Sequence, residues 1–89
     1  MSVDDVIIKI KEHCKNAGAS KVILFGSRAK GTALERSDID IAVSGVKDIE
    51  RLRELLDEIP TLFKIDLVNL DSCMNTLLLE DIEKYGREI

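Results

Sequence analysis

The chain has 89 residues, a formal net charge of −4, 45% hydrophobic and 34% charged residues, a balance that fits one folded domain over 1–89 and excludes a disordered chain. Aromatic residues are only 3% and no long basic run is present, which argues against stacking platforms for nucleic acid and against binding to an anionic membrane surface. No apolar run approaches the roughly 20 residues of a membrane span. The acidic start carries no signal-peptide core, and Cys14 and Cys73 form no CxxC pair, so a cytoplasmic chain with two reduced thiols is expected.

In chain order, Ser2 is placed to cap a helix whose first turn holds Asp4 and Asp5. Val3, Ile7, Ile10, Cys14 and Ala17 repeat at spacings of three and four, an amphipathic pattern that Gly18 ends. Val22-Ile23-Leu24-Phe25 then reads as a strand buried on both faces. Residues 28–32 fit a short helix stopped near Gly31. Asp38 to Val43 alternates polar and apolar at its start, as a second strand does. Ile49, Leu52, Leu56 and Ile59 make the next helical stripe, closed by Pro60. Lys64 to Leu70 reads as a third strand. Ser72 is expected to cap a last helix with Met74, Leu78, Ile82 and Tyr85 on one face and Gly86 at its end. The order α-β-α-β-α-β-α predicts an α/β domain with a small sheet.

The chemistry concentrates in Gly26-Ser27 and, ten residues on, Asp38-Ile39-Asp40. Residues i and i+2 of a strand share a face, so Asp38 and Asp40 are expected to project together. Two carboxylates so placed repel unless a cation lies between them, and hard oxygen donors suit Mg²⁺, with Mn²⁺ as the alternative. Gly26-Ser27 sits at a strand-to-helix junction, where glycine lets a phosphate approach the backbone and the hydroxyl of Ser27 adds a donor. Arg28 and Lys30 add positive charge whose direction the sequence does not give. Asp66 stands between Ile65 and Leu67, where a plain core strand favours an apolar or small residue. If its strand neighbours that of Asp38, three carboxylates converge and could hold two metal ions in a phosphoryl-transfer site.

Gly-Ser-Arg-Ala-Lys-Gly at 26–31, followed by Ser37 to Val43, resembles the polymerase-β-like nucleotidyltransferase superfamily, and more narrowly its minimal nucleotidyltransferases. The resemblance spans nearly the whole chain, including Lys64 to Val68 and the terminal Ile82 to Ile89. It implies the nucleotidyltransferase fold, a small mixed sheet of about three or four strands flanked by about four helices. It further implies that Gly26 and Ser27 contact the triphosphate, that Asp38 and Asp40 bind the metals, and that Asp66 completes the triad. All five positions match. Arg28 and Lys30 join the expected nucleotide-binding set. By the same resemblance the chain is an antitoxin that transfers AMP from ATP to a tyrosine of a HEPN-domain toxin.

Plainer readings stand beside these. Asp38 and Asp40 could be surface strand residues, Asp66 a strand-edge carboxylate, and Arg28 and Lys30 solvated cations. Ser37 reads as a turn or cap residue, and His13 as a boundary histidine of its helix. Leu79 lies off the stripe through Leu78, so the wide apolar arc of Leu77 to Leu79 is expected to meet a partner chain. Neutralisation of a partner by binding alone is the main rival to catalysis, because a domain this small lacks an acceptor pocket of its own. A loop, a second copy or another protein would complete it, so assembly into a homo- or hetero-oligomer is expected. Transfer to a small molecule such as an aminoglycoside is disfavoured by the lack of a second domain, and polymerisation by the lack of basic surface and length.

Overall fold

The computed structural model describes residues 2–34 and 37–89. Among them, four helices and four strands alternate: α1 (Val3–Asn16), β1 (Lys21–Phe25), α2 (Ser27–Lys30), β2 (Ile39–Ser44), α3 (Ile49–Asp57), β3 (Ile65–Asn69), α4 (Thr76–Tyr85) and β4 (Arg87–Glu88). The strands form one mixed sheet in the order β3-β2-β1-β4. β1 is antiparallel to both β2 and β4, whereas β2 and β3 run parallel. That parallel pair needs a crossover, which α3 provides.

Local chemistry explains the elements. The Ser2 hydroxyl accepts from the Asp5 N–H and the Asp5 carboxylate accepts from the Ser2 N–H, a capping box that starts α1. The Asp48 side chain accepts from the Arg51 N–H, a simple N-cap that starts α3.

Alternation along the strands divides the core. Val22, Leu24, Ile39, Ile41, Val43 and Leu67 face α1 and α3 and pack against Val6, Ile10, Cys14, Leu52, Leu56 and Ile59. Ile23, Phe25, Ala42, Val68 and Leu70 face the other way, where Ile82 and Leu78 of α4 meet them. The first layer holds nearly all the fully buried side chains, including Ile39 and Ile41; each such residue contributes roughly 1.5–3 kcal/mol by leaving water. β1 is thus buried on both faces, as its unbroken apolar run predicts.

Several expectations shift. The expected second strand begins at Ile39, so Asp38 lies one residue before it. α4 starts at Thr76 and its cap is Asn75, whose side chain accepts from the Leu78 N–H. Ser72 is instead taken up in a turn, its N–H donating to the Asn69 carbonyl. Met74 therefore falls outside the helix and is 93% exposed. Of the three leucines, Leu77 points outward, while Leu79 is half-buried. β4 is an additional short strand that follows Gly86 directly. Gly86 is required there by close approach, since a Cβ would strike the Ile82 carbonyl oxygen and lie 2.6 Å from Ile23 Cγ2. Among the described residues, no helix is long and apolar enough to cross a membrane.

Candidate active site

Three strand and loop segments meet at one end of the sheet, on the face covered by α4. In the ladder between β2 and β3, Asp40 is paired directly with Asp66. In the ladder between β1 and β2, Asp40 is paired with Phe25, the residue before Gly26. Asp40 and Asp66 have the same parity as Ala42 and Val68, so both side chains belong to the α4 face. Asp38 lies two residues before Asp40, exposed at the mouth of the strand.

Gly26 is where the Gly26-Ser27 turn touches the carboxylates. Its φ of 73° and ψ of −154° lie in a region essentially reserved for glycine. A Cβ there would collide with Asp40 Oδ2 and lie 3.1 Å from Asp40 Cγ. The Gly26 carbonyl accepts from the N–H groups of both Ala29 and Lys30 at 3.1 Å, closing the single turn of α2 that begins with Ser27. Gly31, left-handed at φ 77°, ends that turn.

The electrostatics reflect the crowding. Burial, then the negative charge of Asp66, its hydrogen bond with the Asp40 carboxyl, and the charge of Asp38 push the Asp40 carboxyl up to about 6; Lys64 opposes them. Lys64 Nζ lies 3.8 Å from Asp66 Oδ1, with the lysine side chain 72% exposed. This mutually repelling set of hard oxygen donors is chemically suited to divalent cations. Among the described residues, no group of three or more His, Cys, Asp or Glu side chains is already arranged to hold a metal ion. The backbone sets Asp40 and Asp66 side by side, and their carboxyl groups are close enough to share a hydrogen bond.

The two cations of α2 have defined directions. Arg28 Nη2 donates to the Ser37 carbonyl at 2.7 Å, and its guanidinium lies 5.0 Å from the centre of the Phe63 ring. Lys30 Nζ lies 2.9 Å from Asp81 Oδ1 and 4.9 Å from the centre of the Tyr85 ring, tying α2 to α4. Both side chains are thus engaged with the protein around the site. Ser37 is a turn residue: its hydroxyl accepts from the Leu34 N–H at 2.8 Å, and its N–H donates to the Leu34 carbonyl at 3.0 Å. Lys64 and Phe63 were not picked out from the sequence. Lys64 was open to detection, because its spacing of two from Asp66 on an extended chain puts both on one side; Phe63 carried no comparable signal.

Comparison with known proteins identifies the family and the fold. The profile of the family described as polymerase beta, nucleotidyltransferase matches residues 8–89. A comparison with curated protein sequences gives no significant match. Among solved structures, a candidate minimal nucleotidyltransferase superposes with a TM-score of 0.67 at 25% identity, covering 100% of this chain and 97% of that one. A toxin–antitoxin structure with AMP-PNP superposes with a TM-score of 0.64 at 29% identity, covering 97% of this chain and 71% of that one. The toxin–antitoxin pair MntA-HepT gives a TM-score of 0.55 at 26% identity, covering 96% of this chain and 67% of that one. The four-stranded mixed sheet with its four helices is the nucleotidyltransferase fold, and the chain is related to the MntA antitoxin. With the family match over nearly its full length, the chain belongs to the polymerase beta nucleotidyltransferase family and is a nucleotidyltransferase domain.

Proposed function

We propose that this domain, comprising residues 1–89, transfers AMP from ATP to a hydroxyl group, with a tyrosine of a cognate HEPN-domain toxin as the acceptor. The observation that carries the reading is the direct pairing of Asp40 with Asp66, with Gly26 packed against the Asp40 carboxylate. That arrangement brings a phosphate seat and a set of carboxylates to one point. The relation to toxin–antitoxin structures, one of them holding AMP-PNP, supports both the nucleotide and the partner.

In this reading Gly26 admits the triphosphate close to the backbone, and the Ser27 hydroxyl donates to it. Asp38, Asp40 and Asp66 would hold two Mg²⁺ ions, which supply charge neutralisation on the phosphates and activation of the attacking hydroxyl. The acceptor oxygen forms a bond to the α-phosphorus, the bond from that phosphorus to the bridging oxygen breaks, and pyrophosphate leaves. Asp66 takes the hydroxyl proton. Catalysis is mainly positioning and electrostatic stabilisation, because the protein contributes no covalent intermediate.

The test is calorimetric titration of ATP into the domain with Mg²⁺ or Mn²⁺, followed by transfer of labelled AMP to the partner. Asp38→Asn/Asp40→Asn should abolish metal-dependent binding, and Asp66→Asn should nearly abolish transfer while sparing the fold. Retention of most transfer by Asp66→Asn would refute its role. The rival reading is neutralisation of the toxin by binding alone, without catalysis. A triad variant that still neutralises the toxin at equal dose would establish that rival.

A further inference from the structure

Arg28 follows Ser27 directly, in the segment proposed above as the phosphate seat. Its side chain runs instead toward the two chain segments that enter the carboxylate-bearing strands. The Ser37 carbonyl, which accepts from Nη2 at 2.7 Å, belongs to the residue immediately before Asp38. The Phe63 ring, 5.0 Å from the guanidinium, lies three residues before Asp66. These entries are also joined to each other, because the Ile39 N–H donates to the Lys64 carbonyl at 2.8 Å. One planar cation therefore touches the phosphate-seat segment by its own backbone, the Asp38 entry by a hydrogen bond and the Asp66 entry by its face.

We infer that Arg28 is a positioning residue, with Phe63 as its platform, that sets where Asp38 stands relative to Asp66 and so governs how well the carboxylates hold metal. The inference rests on the nucleotidyltransfer reading above and deepens it. A guanidinium is suited to this task because it is flat, permanently charged, able to stack on a ring and able to donate in its own plane at the same time. Lysine keeps the charge but has neither the plane nor the fork. A ligand of the triphosphate would make a different demand: it would need the charge of Arg28 and would be indifferent to the ring of Phe63.

That difference gives the experiment. Wild type, Arg28→Lys, Phe63→Leu, Phe63→Tyr and the Arg28→Lys/Phe63→Leu double variant of the full chain are titrated with Mn²⁺ at saturating ATP, and with ATP at saturating Mn²⁺. Thermal melts confirm that each is folded. Arg28→Lys and Phe63→Leu should each weaken the Mn²⁺ midpoint by on the order of tenfold, the range seen when a residue supporting a metal ligand is removed. The ATP midpoint should move much less. The double variant should be little worse than either single one, because both break the same contact. Phe63→Tyr keeps the ring and should bind as wild type does, so a loss specific to Phe63→Leu is not a loss of fold. A wild-type Mn²⁺ midpoint for Phe63→Leu, or single effects that add in full, overturns the positioning role while leaving the nucleotidyltransfer reading intact. Wild type that binds no ATP with metal present removes that reading, and this inference with it, before any variant is compared.

Discussion

Replacing Gly26 by alanine tests the site most sharply, because one methyl group strikes both of its halves. The backbone at φ 73° and ψ −154° is closed to side chains, and holding alanine there costs on the order of 1–3 kcal/mol. For a domain of 60–100 residues each kcal/mol lowers the melting temperature by roughly 4–8 °C, so a clear drop is expected. The second effect is local. The new Cβ collides with Asp40 Oδ2 and lies 3.1 Å from Cγ and 3.4 Å from Cβ of Asp40, so the carboxylate must withdraw by on the order of 1 Å. A misplacement of that size at a reacting centre is worth about 10²-fold in rate. The assays are a thermal melt, and AMP transfer measured well below the variant's melting temperature. Transfer within a few-fold of wild type, in a variant that has lost stability, would show that the contact between Gly26 and Asp40 does not serve the chemistry.

Other consequences follow from the same packing. The Asp40 carboxyl is pushed up to about 6 from an ordinary 3.8 by burial and then by Asp66, so between those two pH values the native state holds a proton that the unfolded chain has released. The resulting stabilisation is full below the unfolded value and is lost as pH rises through about 6. Metal-free Asp40→Asn should therefore melt above wild type at neutral pH and lose the advantage in acid; equal melting at neutral pH would refute the crowding. Gly86→Ala forces a Cβ against the Ile82 carbonyl and Ile23 and should cost about 1–3 kcal/mol, as overpacking does. An unchanged denaturation midpoint would contradict that packing. Cys14 is fully buried, which pushes its thiol up to about 11, whereas Cys73 is half-buried. A thiol reagent should label Cys73 first in the native protein, and equal rates would contradict the burial of α1.

Much of this was legible in the sequence because local and tertiary preferences coincide. The Ser2 cap and the extent of α1 match the sequence reading, although its stripe passed over the fully buried Val6 in favour of the partly buried Val3 and Ile7, and the unbroken run from Val22 to Phe25 announced a strand covered on both sides. The start of α4 was misread because Ser72 and Asn75 are both good caps. What decided between them was remote: Asp71 accepts from the Ser44 hydroxyl and the Gly45 N–H, which fixes the turn that uses Ser72. β4 is two residues long and exists only by pairing with β1, a partner more than sixty positions away in sequence. Asp66 could be seen as out of place in an apolar strand, but its register opposite Asp40 is a property of the ladder. The directions of Arg28 and Lys30 were the least legible feature, since long side chains take whatever partners the tertiary fold presents.

The unequal division of the core has a dynamic consequence. Nearly all the deep packing lies between the sheet and the pair α1 and α3, whereas α4 is held through Ile82, Leu78 and the Lys30–Asp81 ion pair; beyond it, Ile89 rejoins the larger core, its N–H donating to the Val22 carbonyl. Stability need not be uniform across a domain, and weakly packed units open without the rest. The amides of α4 should therefore exchange well before those of β1 and β2, the helix loosening from the sheet face that carries Asp40 and Asp66 while Ile89 stays anchored to β1. Access to that face would then be set by a partial unfolding equilibrium, and whatever clamps α4 down would slow the exchange and narrow the entrance together.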